Sequence, residues 1–324
     1  MLWCTSTKYV FGPIPSRRLG RSLGVNNIIP PKHCSYSCIY CQIGRTINLE
    51  ISRRKFYPWR EIVEEVIGTV KSIGEENIDY ITFVPNGEPT LDINLGREIV
   101  GIRREVNVPI AVLTNASLFF LEDVRNDLYE ADSVSVKLDA YSEEVFRKIN
   151  RPHPKLKLSE VLNGILSFSK NFKGKLVTET MVVKGVNDSL SEMEKVAKFV
   201  SKLKPHRAYI AIPTRPPAEK WVEQPSEQKL FEIYRVFEKH FAGKTEFLIG
   251  YEGETFGIDR ENPIESILAI TSVHPMRIDY VEKLLEKVGL DSKETLSKLI
   301  DEGKIVILEY GNYKFIMRKT HPIR

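Results

Sequence analysis

The sequence holds little cysteine: four residues in 324, three of them within eight positions as Cys34, Cys38 and Cys41. So sparse a supply excludes a disulfide scaffold for a chain of this length. Long apolar runs are missing as well. None approaches the roughly 18–20 residues of a membrane-spanning helix, and Met1 to Val10 lacks the basic-then-apolar layout of a signal peptide. These absences predict a cytoplasmic protein with no membrane segment. Nor is there a large excess of either charge, since 47 Lys+Arg stand against 43 Asp+Glu for a formal net charge of +4. With 42% hydrophobic and 28% charged residues, the chain reads as neither disordered nor fibrous.

What is present is unevenly placed. Residues 1–60 carry ten Lys/Arg and a single acid, Glu50. Two readings follow: an anionic partner such as RNA, or a rim whose cations pair with acids elsewhere in the fold. Tyr9, Phe11, Tyr36, Phe56, Tyr57 and Trp59 interleave with those cations, a mixture common to nucleic-acid channels and to packed barrel bottoms alike.

From Ser22 onward, short β-branched runs alternate with amphipathic ones. Strands are predicted at Leu23–Ile29, Ile78–Val84, Ile110–Thr114, Ser133–Leu138, Leu176–Val183 and Ala208–Ile212. Helices are predicted around Trp59–Ile73, Leu91–Val106, Leu118–Tyr129, Ser159–Phe172, Ser191–Leu203 and Ser226–Phe241. Six strands, each followed by a helix, predict a parallel α/β domain, either an open doubly wound sheet or a full or partial barrel. Polar and Gly/Pro residues gather where the strands end, at Asn86 to Thr90, at Asn115, at Lys137 and Asp139, and at Lys184 to Asp188. In either architecture that edge binds ligands. Glu179 and Thr180, within the fifth strand, are predicted to point into the barrel, and Arg207, Arg215 and the Pro213–Pro217 stretch flank the sixth strand, where either a substrate pocket or a rigid loop without chemistry is expected.

Beyond Tyr251 the pattern changes to three short helices, Pro263–Thr271, Arg277–Val288 and Ser292–Glu302, then a hairpin of Ile305–Glu309 and Tyr313–Met317 turning at Gly311 and Asn312. That order predicts a winged-helix-like domain over 261–324 after a domain over 1–260. Its ten Lys/Arg are balanced by ten Asp/Glu, and its third helix is not basic. Duplex recognition is therefore disfavoured against peptide or protein binding or packing on the first domain.

The three cysteines form CxxxCxxC in the loop after the first strand. A structural zinc site takes four ligands, and the sequence offers no second pair: Cys4 is isolated, and His33 is poorly spaced to close the same cage. Three thiolates suit a [4Fe–4S] cluster with one iron open to a small molecule. A zinc site borrowing a distant histidine is the alternative.

CxxxCxxC with Tyr40 before its last cysteine, together with Asn86-Gly87-Glu88-Pro89-Thr90 after the next strand, resembles the radical S-adenosylmethionine (SAM) superfamily. The stretch from Phe11 to Gly20 resembles its Fe–S oxidoreductases related to the tRNA wyosine-base synthases. The resemblance covers roughly residues 10–250. It implies a partial (β/α)6 TIM-like barrel with Cys34, Cys38 and Cys41 on a [4Fe–4S] cluster. It also implies reductive cleavage of SAM to a 5′-deoxyadenosyl radical that abstracts a substrate hydrogen. Gly87, Glu88 and Pro89 match the segment that meets the SAM amino group, with Asn86 in place of a glycine. Tyr40 matches the position against adenine, and Asn115 and Lys137 are candidates for the ribose and carboxylate. Each has a structural rival: Glu88 could cap a helix, Asn115 could form a turn, and Lys137 could pair with Asp139. The implied partners are an electron donor such as ferredoxin or flavodoxin and a substrate that is a tRNA base or a peptide or protein. A second functional class is a non-enzymatic Fe–S or zinc regulator acting through the winged helix.

Overall fold

The computed structural model describes residues 9–250, 256–258 and 262–319. Two strands, β1 (Val10–Ser16) and β2 (Gly20–Val25), form an antiparallel ribbon, and the loop that follows holds a short parallel pair, β3 (His33–Cys34) with β4 (Asn48–Leu49). The chain then alternates helix and strand: α1 (Trp59–Ile73), β5 (Tyr80–Phe83), α2 (Leu95–Arg103), β6 (Ile110–Thr114), α3 (Glu122–Leu128) and β7 (Ser133–Lys137). Next come α4 (Glu143–Ile149), α5 (Leu158–Asn171), β8 (Lys175–Met181), α6 (Leu190–Leu203), β9 (Arg207–Ala211), α7 (Glu227–His240) and β10 (Lys244–Leu248). The sheet order is β1-β2-β5-β6-β7-β8-β9-β10, with every pair parallel except β1 with β2. The row runs open from β1 to β10, as a partial barrel does.

Local sequence explains the elements. Ile62, Val63, Val66 and Val70 of α1 fall on one face and are buried, and the helix stops at Gly74, whose φ is +89°. Ser189 and Ser226 cap α6 and α7 by accepting from the amides of Glu192 (3.3 Å) and Lys229 (3.2 Å). The parallel strands are buried almost throughout: Val134 and Val136 of β7 and Ala208 and Ile210 of β9 are fully enclosed.

All six predicted strands are present, but the sheet holds seven parallel strands and an antiparallel edge. The missed β1 carries Pro13 and Pro15, which mask a strand pattern, and the missed β10 is an edge strand whose Lys244 and Glu246 interrupt the apolar run. α4 was also unforeseen. The second predicted helix begins late, because Pro89–Leu91 forms a single 3-10 turn before α2.

The C-terminal elements are α8 (Pro263–Val273), β11 (Met276–Arg277), α9 (Ile278–Lys287), α10 (Ser292–Asp301), β12 (Ile305–Tyr310) and β13 (Tyr313–Arg318). Asp291 caps α10 by accepting from Glu294 N at 2.8 Å, and Gly311 turns the hairpin at a φ of +58°. A strand absent from the predicted set, β11, joins β13 to make a three-stranded antiparallel sheet. These elements enclose their own core, including Ile267, Ile270, Leu285 and Ile316, and that core takes in Phe11 and Ile14 of β1. α8 is apolar nearly all round and buried accordingly. Gln42 Nε2 donates to Val273 O at 2.9 Å and Tyr310 OH to Pro213 O at 3.1 Å, tying this unit to the mouth of the barrel. Cys4 and Glu261, the latter at the expected boundary, lie outside the described residues.

Candidate functional site

The cysteine loop is stitched to the turn after β5. His33 and Gly87 form a parallel bridge: Glu88 N donates to His33 O at 3.0 Å, and His33 N to Asn86 O at 3.4 Å. A Cβ on Gly87 would lie 1.7 Å from that carbonyl oxygen, so only glycine permits the approach. The His33 ring faces away, packing edge-on to Phe56 at 5.2 Å and bonding Glu50 and Asn48, consistent with its exclusion as a ligand.

Cys34, Cys38 and Cys41 all line one cavity of about 280 Å³ at the C-terminal ends of the parallel strands. Among the described residues, no three His, Cys, Asp or Glu side chains are grouped to hold a single metal ion. The three thiols share one wall of that cavity. Burial pushes the Cys34 thiol up to about 11 despite the opposing charge of Lys32, and burial with Asp139 and the other cysteines pushes Cys38 up to about 12. Lys32, unremarked in the sequence, is buried with its Nζ 3.0 Å from Cys41 Sγ and 2.8 Å from Gly44 O. Desolvation pulls its pKa down, but the neighbouring sulfurs of Cys41, Cys34 and Cys38 outweigh it and the net shift is upward. Its position two residues before Cys34, inside the basic segment, was the available signal.

The same cavity is lined by Tyr40, Gly87, Glu88, Asn115 and Lys137. Pro89 is buried but does not line it; it opens the 3-10 turn, and its carbonyl accepts from Asn27 Nδ2 at 3.4 Å. The Glu88 carboxylate does cap that turn, accepting from Thr90 N (3.2 Å) and Oγ1 (2.7 Å), and it also accepts from Thr114 Oγ1 (2.6 Å) and Asn115 N (2.8 Å). Desolvation raises its pKa against those four bonds. Asn115 also forms the anticipated turn, Oδ1 accepting from Ser117 N at 2.9 Å, while its Nδ2 donates to Ser35 Oγ at 2.9 Å and lies 3.5 Å from Cys34 Sγ.

Lys137 bonds Glu179, not Asp139, and lies 5.6 Å from the centroid of the Tyr40 ring. Desolvation lowers it to about 8, with Arg18 adding to the shift and Asp139 opposing it. Asp139 instead accepts from Tyr40 OH, Asn150 Nδ2 (2.7 Å) and Met181 N (2.8 Å). Glu179 faces the cavity and also pairs with Arg18. Thr180 does not face it: strand alternation sends it to the other side, where Oγ1 donates to Leu138 O at 2.9 Å. At the mouth, Arg215 donates to Gln42 Oε1 at 2.8 Å and contacts His274 Nε2 at 3.2 Å, so the C-terminal unit forms part of the wall. Arg207 pairs with Glu246 outside the cavity.

The cations of the first sixty residues are substantially consumed by the fold. Arg21 pairs with Asp79, Arg45 with Glu219, Arg53 with Asp123 and Asp127, Arg54 with Glu50, and Arg18 with Glu179. The nearby aromatics pack on one another, Tyr9 on Tyr57 at 4.7 Å and Tyr36 on Phe146 at 5.3 Å. The pairing and packing readings therefore account for this segment.

A sequence model of the Radical SAM superfamily matches residues 28–200. A UPF0026 protein of Methanocaldococcus jannaschii is 45% identical over 309 residues, covering 95% of each chain. A UPF0026 protein of Helicobacter pylori is 32% identical over 317 residues, covering 94% of this chain and 96% of that one. Among solved structures, a radical SAM methyltransferase from Sphaerobacter thermophilus superposes with a TM-score of 0.52 at 15% identity, covering 70% of this chain and 66% of that one. Streptococcus suis SuiB bound to precursor peptide SuiA gives 0.52 at 13% identity, covering 68% and 48%. Those structures share the fold; the sequence matches carry the kinship, and the chain belongs to the radical SAM superfamily of Fe–S enzymes.

Proposed function

We propose that Cys34, Cys38 and Cys41 hold a [4Fe–4S] cluster, that SAM binds beside it, and that the enzyme abstracts a hydrogen atom from an organic substrate. Enzymes of this superfamily use that cluster and SAM. The observation that carries the residue assignment is the shared wall: the three thiols line the same cavity as Gly87, Glu88, Asn115 and Lys137. Bound there, the cluster and SAM would supply reductive cleavage of the sulfonium to a 5′-deoxyadenosyl radical that takes the hydrogen.

The chain supplies binding and positioning. Gly87, backed by the His33 carbonyl, sets its own backbone at the cavity wall where an amino group could meet it, and four donors hold the Glu88 carboxyl oriented there. Lys137 offers a point charge to a carboxylate, held by Glu179. Tyr40, anchored on Asp139, presents its backbone and ring to a base. The partly enclosed cavity limits water around a reactive radical.

The same reading treats 1–260 as the catalytic barrel and 261–324 as a winged-helix-like unit assisting recognition. Support comes from the order helix, strand, helix, helix, hairpin and from His274 at the cavity. Between the two substrate classes, the ion pairing of the basic N-terminus and the charge balance of the tail favour a peptide or protein over a tRNA base. RNA co-purifying in a salt-sensitive manner would reverse that preference.

Anaerobic reconstitution should give about four irons per chain, and reduction with dithionite in the presence of SAM should yield 5′-deoxyadenosine. Iron loading without that product would overturn the proposal. Cys34→Ala, Cys38→Ala and Cys41→Ala should each abolish both the product and the cluster's electron paramagnetic resonance (EPR) signal while keeping the circular dichroism of the fold.

A further inference from the structure

We propose that the outer wall of the cysteine loop docks an acidic one-electron carrier protein at a patch formed by Arg45, Ile47, Arg151, Lys220 and Trp221. This rests on the cluster assignment above and concerns the opposite face of the same loop. The cavity face of the loop is where SAM and substrate would lie, so the electron has to enter from outside.

Four segments meet there. Ser37 N donates to Asn150 O (3.0 Å) and Arg151 O (3.1 Å), Ile39 N to Ile149 O (3.0 Å), and Glu219 N to Ile39 O (3.0 Å). Thr46 N donates to Ser37 Oγ at 3.1 Å and Thr46 Oγ1 to Tyr36 O at 2.7 Å. The wall is thin: Arg151 reaches solvent, while its neighbour Asn150 places Nδ2 3.5 Å from Cys38 Sγ.

The surface of that wall has a definite chemistry. Ile47 is 54% and Trp221 52% exposed, large apolar groups left in water beside the loop. Arg45 and Arg151 both pair with Glu219, whose side chain is only 8% exposed, so two guanidinium groups share one enclosed carboxylate and face outward. Lys220 is exposed beside them, and the nearby Glu223 is neutralised by Lys184. An apolar centre with a net positive rim fits a partner whose redox group is ringed by acids. In the transfer the carrier loses one electron and the cluster gains it; no bond or proton need change hands.

The test uses the full-length reconstituted protein and purified flavodoxin as the carrier. Binding is measured by calorimetry, and cluster reduction by stopped-flow absorbance, with flavodoxin or dithionite as donor. Lys220→Glu combined with Trp221→Ala should weaken flavodoxin binding about tenfold and slow flavodoxin-driven reduction to match, leaving dithionite-driven reduction unchanged. Added salt should weaken wild-type binding more than that of the variant. Unchanged binding and reduction by flavodoxin in the variant would overturn the docking assignment. Patch-dependent binding in a protein that makes no 5′-deoxyadenosine with dithionite would overturn the proposed chemistry and leave the docking surface standing.

Discussion

Gly87 has no room for a side chain, because the His33 carbonyl occupies the place its Cβ would take. One residue thus joins the cysteine loop to the turn carrying Glu88. Gly87→Ala should part the two, costing on the order of 3 kcal/mol of stability and lowering iron retention. Urea unfolding and iron content of the reconstituted protein check both; a variant as stable and iron-loaded as wild type would show that the bridge is dispensable. At this scale much of the site was legible in the sequence. The thiols, Gly87, Glu88, Asn115 and Lys137 share one cavity because Lys137 ends β7 and the others lie in the connections that follow β2, β5 and β6. Their partners were not legible. That Lys137 meets Glu179 and not Asp139 depends on the register of β7 on β8, which sets Lys137 opposite Glu179, and no local pattern encodes register.

The segment from the 3-10 turn into α2 carries an unusual burial of acids. Asp92 and Glu98 are fully enclosed and act on each other. Burial pushes Asp92 up to about 7, against bonds from Asn94 and the charge of Arg53, and burial with Asp92 as neighbour raises Glu98 well above its ordinary range. The folded state therefore holds protons that the unfolded chain releases. Stability from this pair is complete below the ordinary carboxylate range and is lost as pH rises through 7. The unfolding free energy from urea titration should fall between pH 5 and pH 8, by on the order of 2–4 kcal/mol, and Asp92→Asn should flatten the slope. A wild-type free energy that rises over that interval would contradict the assignment. The elements were read from sequence where periodicity is long, as in α1, whose predicted bounds are reproduced. They were missed where proline or charged residues hide the pattern, as in β1 and β10.

The C-terminal elements and the sheet share a border at β1. Phe11 and Ile14 belong to the core of α8–α10 and not to that of the barrel, and His274 stands in the cavity wall. Deleting residues 262–324 should therefore uncover two large side chains and the cavity mouth, lowering the melting temperature by about 10 °C and promoting association. Scanning fluorimetry with light scattering measures this; a truncated chain that melts within a degree or two of the whole would make the two parts energetically independent. Charge at this scale was legible as an imbalance, and its destination was not, because the paired acids lie far along the chain, as Glu219 does for Arg45. The same distance has a meaning in time. β1 leaves the ribosome well before α8, and at about 5–20 residues per second the intervening stretch of about 250 residues takes on the order of ten seconds to a minute. For that interval the nascent sheet has an unfinished border, with Phe11 and Ile14 awaiting a covering that has yet to be synthesised.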